Sequence, residues 1–320
     1  MKLCDRVTVL RHGRVIGTDD VSNLTTSAIA RMMVGRDVIL KIDKIAPQQQ
    51  EKVVKVRDLV YINQDGRRVV SRISFDLYAG EILGIAGIEG NGQNEITGLL
   101  CGMLPILSGL VEIKGASIAK KSIHAIRDLG VAVINEDRML HGCAPDLSVK
   151  ENILAAKLRT AQFRKGPFLN HKKANVFVDR CISDFDIRCD HRSVPVKMLS
   201  GGNVQKVIVA REFTSGANLI IANQPTRGID IGTSEMIRKH LIRKTREENV
   251  AVLLVSSDLN EILEVSDRLI VIKSGRIAAH FPDASQVDEE TLGEYMLGVR
   301  NMSPAELEMG SYEYQPCEAY

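Results

Sequence analysis

The sequence predicts an α/β fold with a parallel-sheet core, an N-terminal antiparallel sheet and an inserted helical subdomain. Three observations carry that reading. Asn218 to Ala222 and Val250 to Ser256 are continuous apolar runs, the pattern of parallel strands covered on both faces. Gly80-Glu81-Ile82-Leu83-Gly84-Ile85-Ala86-Gly87 reads as a buried strand running into a glycine loop, followed by a helix from about Asn94 to Cys101. Val53-Val54-Lys55-Val56 and Ile73-Ser74-Phe75-Asp76-Leu77 alternate as antiparallel strands do. The stretch from Val149 to Val194 is polar and helical in character, which makes it the insertion.

The N-terminal end reads differently, because it repeats the C-terminal end. Asp5-Arg6-Val7-Thr8-Val9-Leu10-Arg11-His12-Gly13-Arg14-Val15-Ile16 echoes Asp267-Arg268-Leu269-Ile270-Val271-Ile272-Lys273-Ser274-Gly275-Arg276-Ile277-Ala278, and Met33-Val34-Gly35-Arg36 echoes Met296-Leu297-Gly298-Val299. Each unit is a strand, a Gly turn, a second strand and a helix ending in Gly. Two copies of a domain's ending and one copy of its body imply a division into 1–40, the end of a preceding domain, and 53–300, one α/β domain. Its helical subdomain spans about 149–195. On this reading the chain is a fragment or a mis-started gene product. Residues 41–52, with Lys, Gln and Pro47, form the expected linker. The tail 301–320 holds four Glu and no Lys or Arg after Ser303, and composition alone predicts disorder there.

Composition excludes several functions. With 320 residues, 44% hydrophobic and 26% charged, the chain has ample core and an ordinary globular balance. A net charge of +2, the absence of Trp and 4% aromatics argue against nucleic acid as a partner. No apolar run approaches the ~18 residues of a membrane span, and Met1 to Asp5 has no signal-peptide core. The six cysteines form no CxxC pair and read as reduced thiols, so a cytoplasmic location is expected.

The glycine loop Gly87-Ile88-Glu89-Gly90-Asn91-Gly92-Gln93-Asn94 has the spacing that aims backbone N–H groups at phosphates. Gly87, Gly90 and Gly92 supply the turn. Gln93 stands where a Lys would bring charge, and Asn94 where a Ser or Thr hydroxyl would hold Mg²⁺. A neutral donor is worth ~1 kcal/mol against ~1.5–3 for a charge-assisted one, so phosphate affinity is expected to fall tenfold or more. Glu89 adds like-charge repulsion. A glycine turn with no ligand is the competing reading. A second motif, Leu199-Ser200-Gly201-Gly202-Asn203, opens an expected helix over Val204 to Phe213. There two glycines, a hydroxyl and a helix N-terminus again suit an anion, and a helix simply capped by Ser200 is the alternative.

Taken together, Gly-Ile-Glu-Gly-Asn-Gly-Gln, Glu136-Asp137-Arg138, Leu-Ser-Gly-Gly-Asn-Val-Gln-Lys and Asn223-Gln224-Pro225-Thr226-Arg227-Gly228-Ile229-Asp230 resemble the second cassette of tandem ATP-binding-cassette (ABC) ATPases that drive bacterial import of simple sugars and nucleosides. The resemblance implies an ABC-type P-loop ATPase fold over nearly the whole chain. It makes Ser200, Gly201, Gly202 and Gln205 a signature loop that completes an ATP site held by another cassette. It also places amides where the Mg²⁺-orienting Asp and the water-polarising Glu would stand, at Asn223 and Gln224, and Ser257 where a switch His would stand. Glu136 falls in the loop that couples nucleotide to the membrane partner, Asp230 at the dimer seam, and Tyr61 where an aromatic ring stacks on adenine; a solvated charge run and ordinary strand packing are the plain readings of Glu136 and Tyr61. Asn94 and Asn223 go beyond the family's usual erosion, and Asn135 replaces a usual Pro.

The implied cofactors are ATP and Mg²⁺, the latter held mainly by the partner cassette. The implied partners are another cassette, membrane permease subunits and, indirectly, an extracytoplasmic solute-binding protein, with a peripheral position on the inner membrane face. With so many chemical parts replaced, the chain alone is expected to be inactive. A docking or regulatory module, or a decayed product, is the other reading. Tandem cassettes acting in translation or DNA repair are disfavoured by the neutral charge.

Overall fold

The computed structural model describes residues 4–11, 13–34, 51–158, 160–165 and 168–310. It opens with a hairpin, β1 (Arg6–Arg11) and β2 (Arg14–Asp20), followed by helix α1 (Thr26–Val34). After the undescribed stretch 35–50, which contains Gly35, Arg36 and nearly all of the expected linker, come β3 (Lys52–Ile62), β4 (Arg68–Tyr78), β5 (Ile82–Ala86) and α2 (Gln93–Leu100). Then follow β6 (Ser108–Ile113), β7 (Ala116–Ser117), α3 (Ile123–Asp128), β8 (Val131–Ile134), α4 (Val149–Leu154), the minimal strands β9 (Arg164–Lys165) and β10 (Phe168–Leu169), α5 (His171–Asp184) and α6 (Gly201–Phe213). The chain continues through β11 (Leu219–Asn223), α7 (Ile231–Glu248), β12 (Ala251–Val255), α8 (Leu259–Val265), β13 (Arg268–Lys273), β14 (Arg276–Phe281), α9 (Glu289–Leu297) and α10 (Pro304–Gly310).

The apolar runs form the centre of a six-stranded sheet ordered β14-β13-β5-β12-β11-β8. Every pairing in it is parallel except the edge hairpin β13–β14. Strand β12 shows why such a strand needs no polar residue. Val252 and Leu254 enter one buried cluster with the helices, while Ala251, Leu253 and Val255 enter a second with the antiparallel sheet. That second sheet, β4-β3-β6-β7, is antiparallel as its alternating sequence predicts. The sheets and helices thus form the layered α/β body the sequence predicts.

Several boundaries differ from expectation. Helix α2 begins at Gln93 rather than Asn94, and α6 begins at Gly201 rather than Val204, because both glycines of the motif take helical positions. The insertion is not uniformly helical: α4 and α5 are separated by the β9–β10 hairpin. The tail is not uniformly disordered either. Ser303 and Glu306 form a reciprocal cap, with Ser303 N–H donating to Glu306 Oε2 at 2.7 Å and Glu306 N–H to Ser303 Oγ at 3.3 Å, and Pro304 occupies the first helical position of α10. Residues 311–320 lie outside the described residues.

The terminal units share one order of elements, a hairpin followed by a helix, in β1-β2-α1 and in β13-β14-α9. Their burial differs sharply. Ile272, Ala278 and Met296 are 0%, 6% and 9% exposed, whereas their sequence counterparts Leu10, Ile16 and Met33 are 66%, 41% and 46% exposed.

Candidate functional site

The glycine loop, Glu136, Asn223, Gln224 and Ser257 follow the carboxyl ends of the parallel strands, the usual ligand edge of such sheets. The glycine loop follows β5, Asn223 closes β11, and Ser256-Ser257 follow β12. Gly90 and Gly92 have φ of 88° and 110°, the left-handed region that lets the loop turn, and Gly92 is the N-cap of α2. The loop is nonetheless closed from inside. Gln93 is 6% exposed and its Nε2 donates to the loop's own Ile88 carbonyl at 3.1 Å. A Cβ on Gly87 would collide with that amide, so Gln93 fills the turn.

Asn94 and Asn223 are turned toward each other. Asn223 Nδ2 donates to Asn94 Oδ1 at 2.8 Å and to Thr97 Oγ1 at 3.3 Å, and Asn94 Nδ2 donates to Glu136 Oε2 at 2.7 Å. The other oxygen of Glu136 is ion-paired with Arg227, whose guanidinium also lies 3.7 Å from Glu89. Gln224 has φ of 51°, and its Oε1 accepts from the N–H and hydroxyl of Ser257, each at 3.2 Å. Asn223 Oδ1 is buried without a hydrogen-bond partner.

This donor set does not fit Mg²⁺, which is held through carboxylates and substrate phosphates in octahedral geometry. The strand end offers one neutral amide oxygen, and the hydroxyl position is an amide already bonded on both sides. Gln224 carries an amide and cannot accept a proton, and the nearby Glu136 carboxylate is engaged by Asn94 and Arg227. Tyr61 is half-buried and packs against the cluster beneath the antiparallel sheet, which is the plain reading of that residue.

The signature motif is organised differently. Ser200 is the N-cap of α6 with extended backbone (φ −64°, ψ 154°), yet its hydroxyl caps no backbone N–H and instead accepts from Asn203 Nδ2 at 2.9 Å. Ser200 and Gly201 are exposed. They border a cleft of about 630 Å³ that Gly202, Lys206 and Asp230 also line, with Leu10 and Met33 of the N-terminal unit on its wall. Asp230 caps α7, accepting from Thr233 N–H at 3.0 Å and Thr233 Oγ1 at 2.8 Å. Burial pushes its carboxyl up, but the Thr233 hydrogen bonds outweigh that and leave it below the ordinary carboxylate value. A Cβ on Gly202 would stand 3.2 Å from Asp230 Oδ2, so the α6 and α7 starts are set at glycine spacing.

Gln205 departs from its expected role. It is 3% exposed, and its Nε2 donates to the Pro225 carbonyl at 2.7 Å, fastening α6 to the segment after β11. A side chain committed inside its own domain is not presented to another one. Sequence reasoning also missed two arginines. Arg138 donates to the carbonyls of Gly201 at 3.5 Å, Arg227 at 3.3 Å and Gly228 at 3.3 Å, so it clips the signature turn to the turn after β11. Arg227 itself bridges Glu89 and Glu136. Both were quoted inside motifs, and no spacing rule assigns a partner to an isolated Arg.

Residues 70–227 match the family described as ABC transporter. The chain belongs to the ABC transporter family of ATP-binding cassettes. It is 37% identical over 296 residues to the nucleoside import ATP-binding protein NupA of Lactococcus lactis subsp. cremoris, an alignment covering 92% of this chain and 58% of that protein. The glucose import ATP-binding protein TsgD13 of Haloferax volcanii is 35% identical over 296 residues, covering 92% of this chain and 54% of that one. The chain thus spans a little over half the length of these relatives. Among solved structures, a dimeric post-hydrolysis state of the ATP-binding cassette MJ0796, bound to ADP and Pi, superimposes with a TM-score of 0.62 at 19% identity over 71% of this chain and 97% of that one. That likeness establishes the ABC cassette fold. Among the described residues, no helix is long and apolar enough to cross a membrane.

Proposed function

We propose that this cassette is an energy-coupling part of an ABC importer for a simple sugar or nucleoside, and that it donates its signature loop to an ATP site held by another cassette. Its own site is degenerate and silent. The observation that carries the reading is the contrast between the two ends of the site. The glycine loop is plugged by Gln93 and tied up through Asn94, Asn223 and Glu136. The N-terminus of α6 is exposed and uncapped, and borders an open cleft.

In that role Ser200 offers its hydroxyl, and Gly201 and Gly202 let backbone N–H groups and the helix dipole approach a phosphate closely. Arg138 and Gln205 hold the loop's geometry from behind, and Asp230 keeps α7 in register beside it. ATP with Mg²⁺ supplies the hydrolysable phosphoanhydride, and it rests on the partner's phosphate loop. The N-terminal unit supports this placement. In the C-terminal hairpin, Ser274 N–H donates to Asn91 Oδ1 and Gly275 N–H to Asn91 O, both at 3.0 Å, so the β13–β14 tip carries this cassette's glycine loop. A cassette body resting in the same way on β1-β2 would cover Leu10 and Ile16 and bring its own glycine loop to the cleft beside Ser200. The import-protein relatives support a permease, and through it a solute-binding protein, as the assembly in which this happens.

The test is Ser200→Arg in the complex assembled with a competent cassette and permease. Loss of a phosphate-directed donor and intrusion of a bulky side chain are expected to lower ATP turnover by at least ~100-fold. Turnover equal to that of the unsubstituted complex would sink the reading.

A further inference from the structure

A second cavity, of about 510 Å³, is lined by residues of β4 and β14 and by Met302, Pro304 and Leu307 at the start of α10. We propose that it binds a small organic oxyanion, a phosphate or carboxylate carried on an apolar or ring-shaped body. This goes beyond the importer reading and does not depend on it.

The lining is rich in arginine, and two of the arginines are already used. Arg57 holds Asp76 through two bonds of 2.7 Å, and Arg268 holds Glu81 at 2.7 Å. Arg68, Arg72 and Arg276 line the same cavity and make no ion pair among the described residues. Three guanidinium groups on one concave wall, with their paired neighbours neutralised, leave uncompensated positive charge. Arginine's planar fork suits phosphate and carboxylate oxygens.

A separate observation points the same way. His280 is 7% exposed and lines the cavity, and its Nε2 is buried with no hydrogen-bond partner. Buried polar atoms left alone are rare, because the lost hydration is not recovered. That nitrogen has no open surface of its own, so a ligand oxygen would pair with it only after a small shift of the ring, and the imidazole stands at the wall as a reporter of occupancy. The rest of the wall is apolar: Phe75, Ile277, Met302 and Leu307 offer a surface for a ring or short carbon skeleton. The cavity touches no residue of the glycine loop. It is nonetheless linked to it, since Ser71 N–H donates to Gly275 O at 2.8 Å and Gly275 N–H to Asn91 O at 3.0 Å. Occupancy would therefore bear on the hairpin tip that carries the loop.

The experiment is an NMR titration of the full chain, following the His280 imidazole nitrogens, with phenyl phosphate in one arm and benzoate in the other. Assignment comes from the signal lost in His280→Gln. Saturable movement of the His280 signal is expected in at least one arm, and which arm responds identifies the oxyanion. In Arg68→Gln/Arg276→Gln, whose positions are exposed and whose fold should be unaffected, half-saturation should require at least ~10-fold more probe, because two charge-assisted bonds are lost. A His280 signal that stays still in both arms, or one that moves with the same midpoint in the double variant, overturns the proposal. A probe that binds only at the glycine loop would reach His280 through Ser71 and Gly275, but its midpoint would be the same in the double variant, and that counts against the proposal equally.

Discussion

Gln93 shows how one side chain changes what a glycine loop can do. Its amide replaces a point charge and also occupies the concavity, donating to Ile88 O at 3.1 Å. Two effects therefore lower phosphate affinity, the missing cation and an amide that must be displaced. Gln93→Lys combined with Asn94→Ser should raise affinity for a fluorescent ATP analogue by about tenfold or more, on the difference between neutral and charge-assisted bonds. Hydrolysis should stay absent in that variant, because Gln224 still cannot take a proton. Measurable turnover would show that the amide pair at the end of β11 is not what silences the site.

At the scale of elements, the signature helix α6 is fixed by its neighbours more than by its own sequence. Lys206 donates to the Asp186 carbonyl at 2.8 Å and carboxylate at 2.9 Å, joining α6 to the end of α5. Beside that joint, Phe185 stacks on His240 of α7 at 4.9 Å between ring centres, and Phe213 of α6 lies 5.8 Å from the same ring. Burial, followed by the nearby charges of Arg243 and Lys244, pulls His240 from 6.5 down to about 4. The unfolded chain therefore binds a proton that the fold refuses. The contribution of this group is complete above about pH 6.5 and is lost as pH falls toward 4. Urea unfolding across that range should show His240→Phe flattening the acid limb by of order 1 kcal/mol after solvent screening, with the stacking retained. An unchanged limb would place the acid sensitivity elsewhere.

At the scale of the molecule, the N-terminal unit stands out by its exposure. Its order of elements matches the C-terminal unit, but Leu10, Ile16 and Met33 are left exposed where the counterparts are buried. Exposed apolar side chains of that kind favour association. Light scattering should find the chain self-associating when alone, and Leu10→Ser/Ile16→Thr should restore the monomer without changing the melting temperature of the 51–310 body. A monomeric parent chain would mean the face needs no cover.

The sequence by itself determined the layered α/β body, the position of the glycine loop, the signature motif and the amides at Asn223 and Gln224. These are local properties: continuous apolar runs this short and rich in β-branched residues suit strands buried on both faces, and a missing charge is missing in any conformation. Tertiary structure alone decided what those residues do to one another. No spacing rule foretold that Gln93 would plug its own loop, that Gln205 would turn inward to Pro225, or that Arg138 would clip two turns 63 to 90 residues away. The arginine-lined cavity behind β4 escaped for the same reason. Its walls come from segments about two hundred residues apart, and only packing brings their charges to one surface.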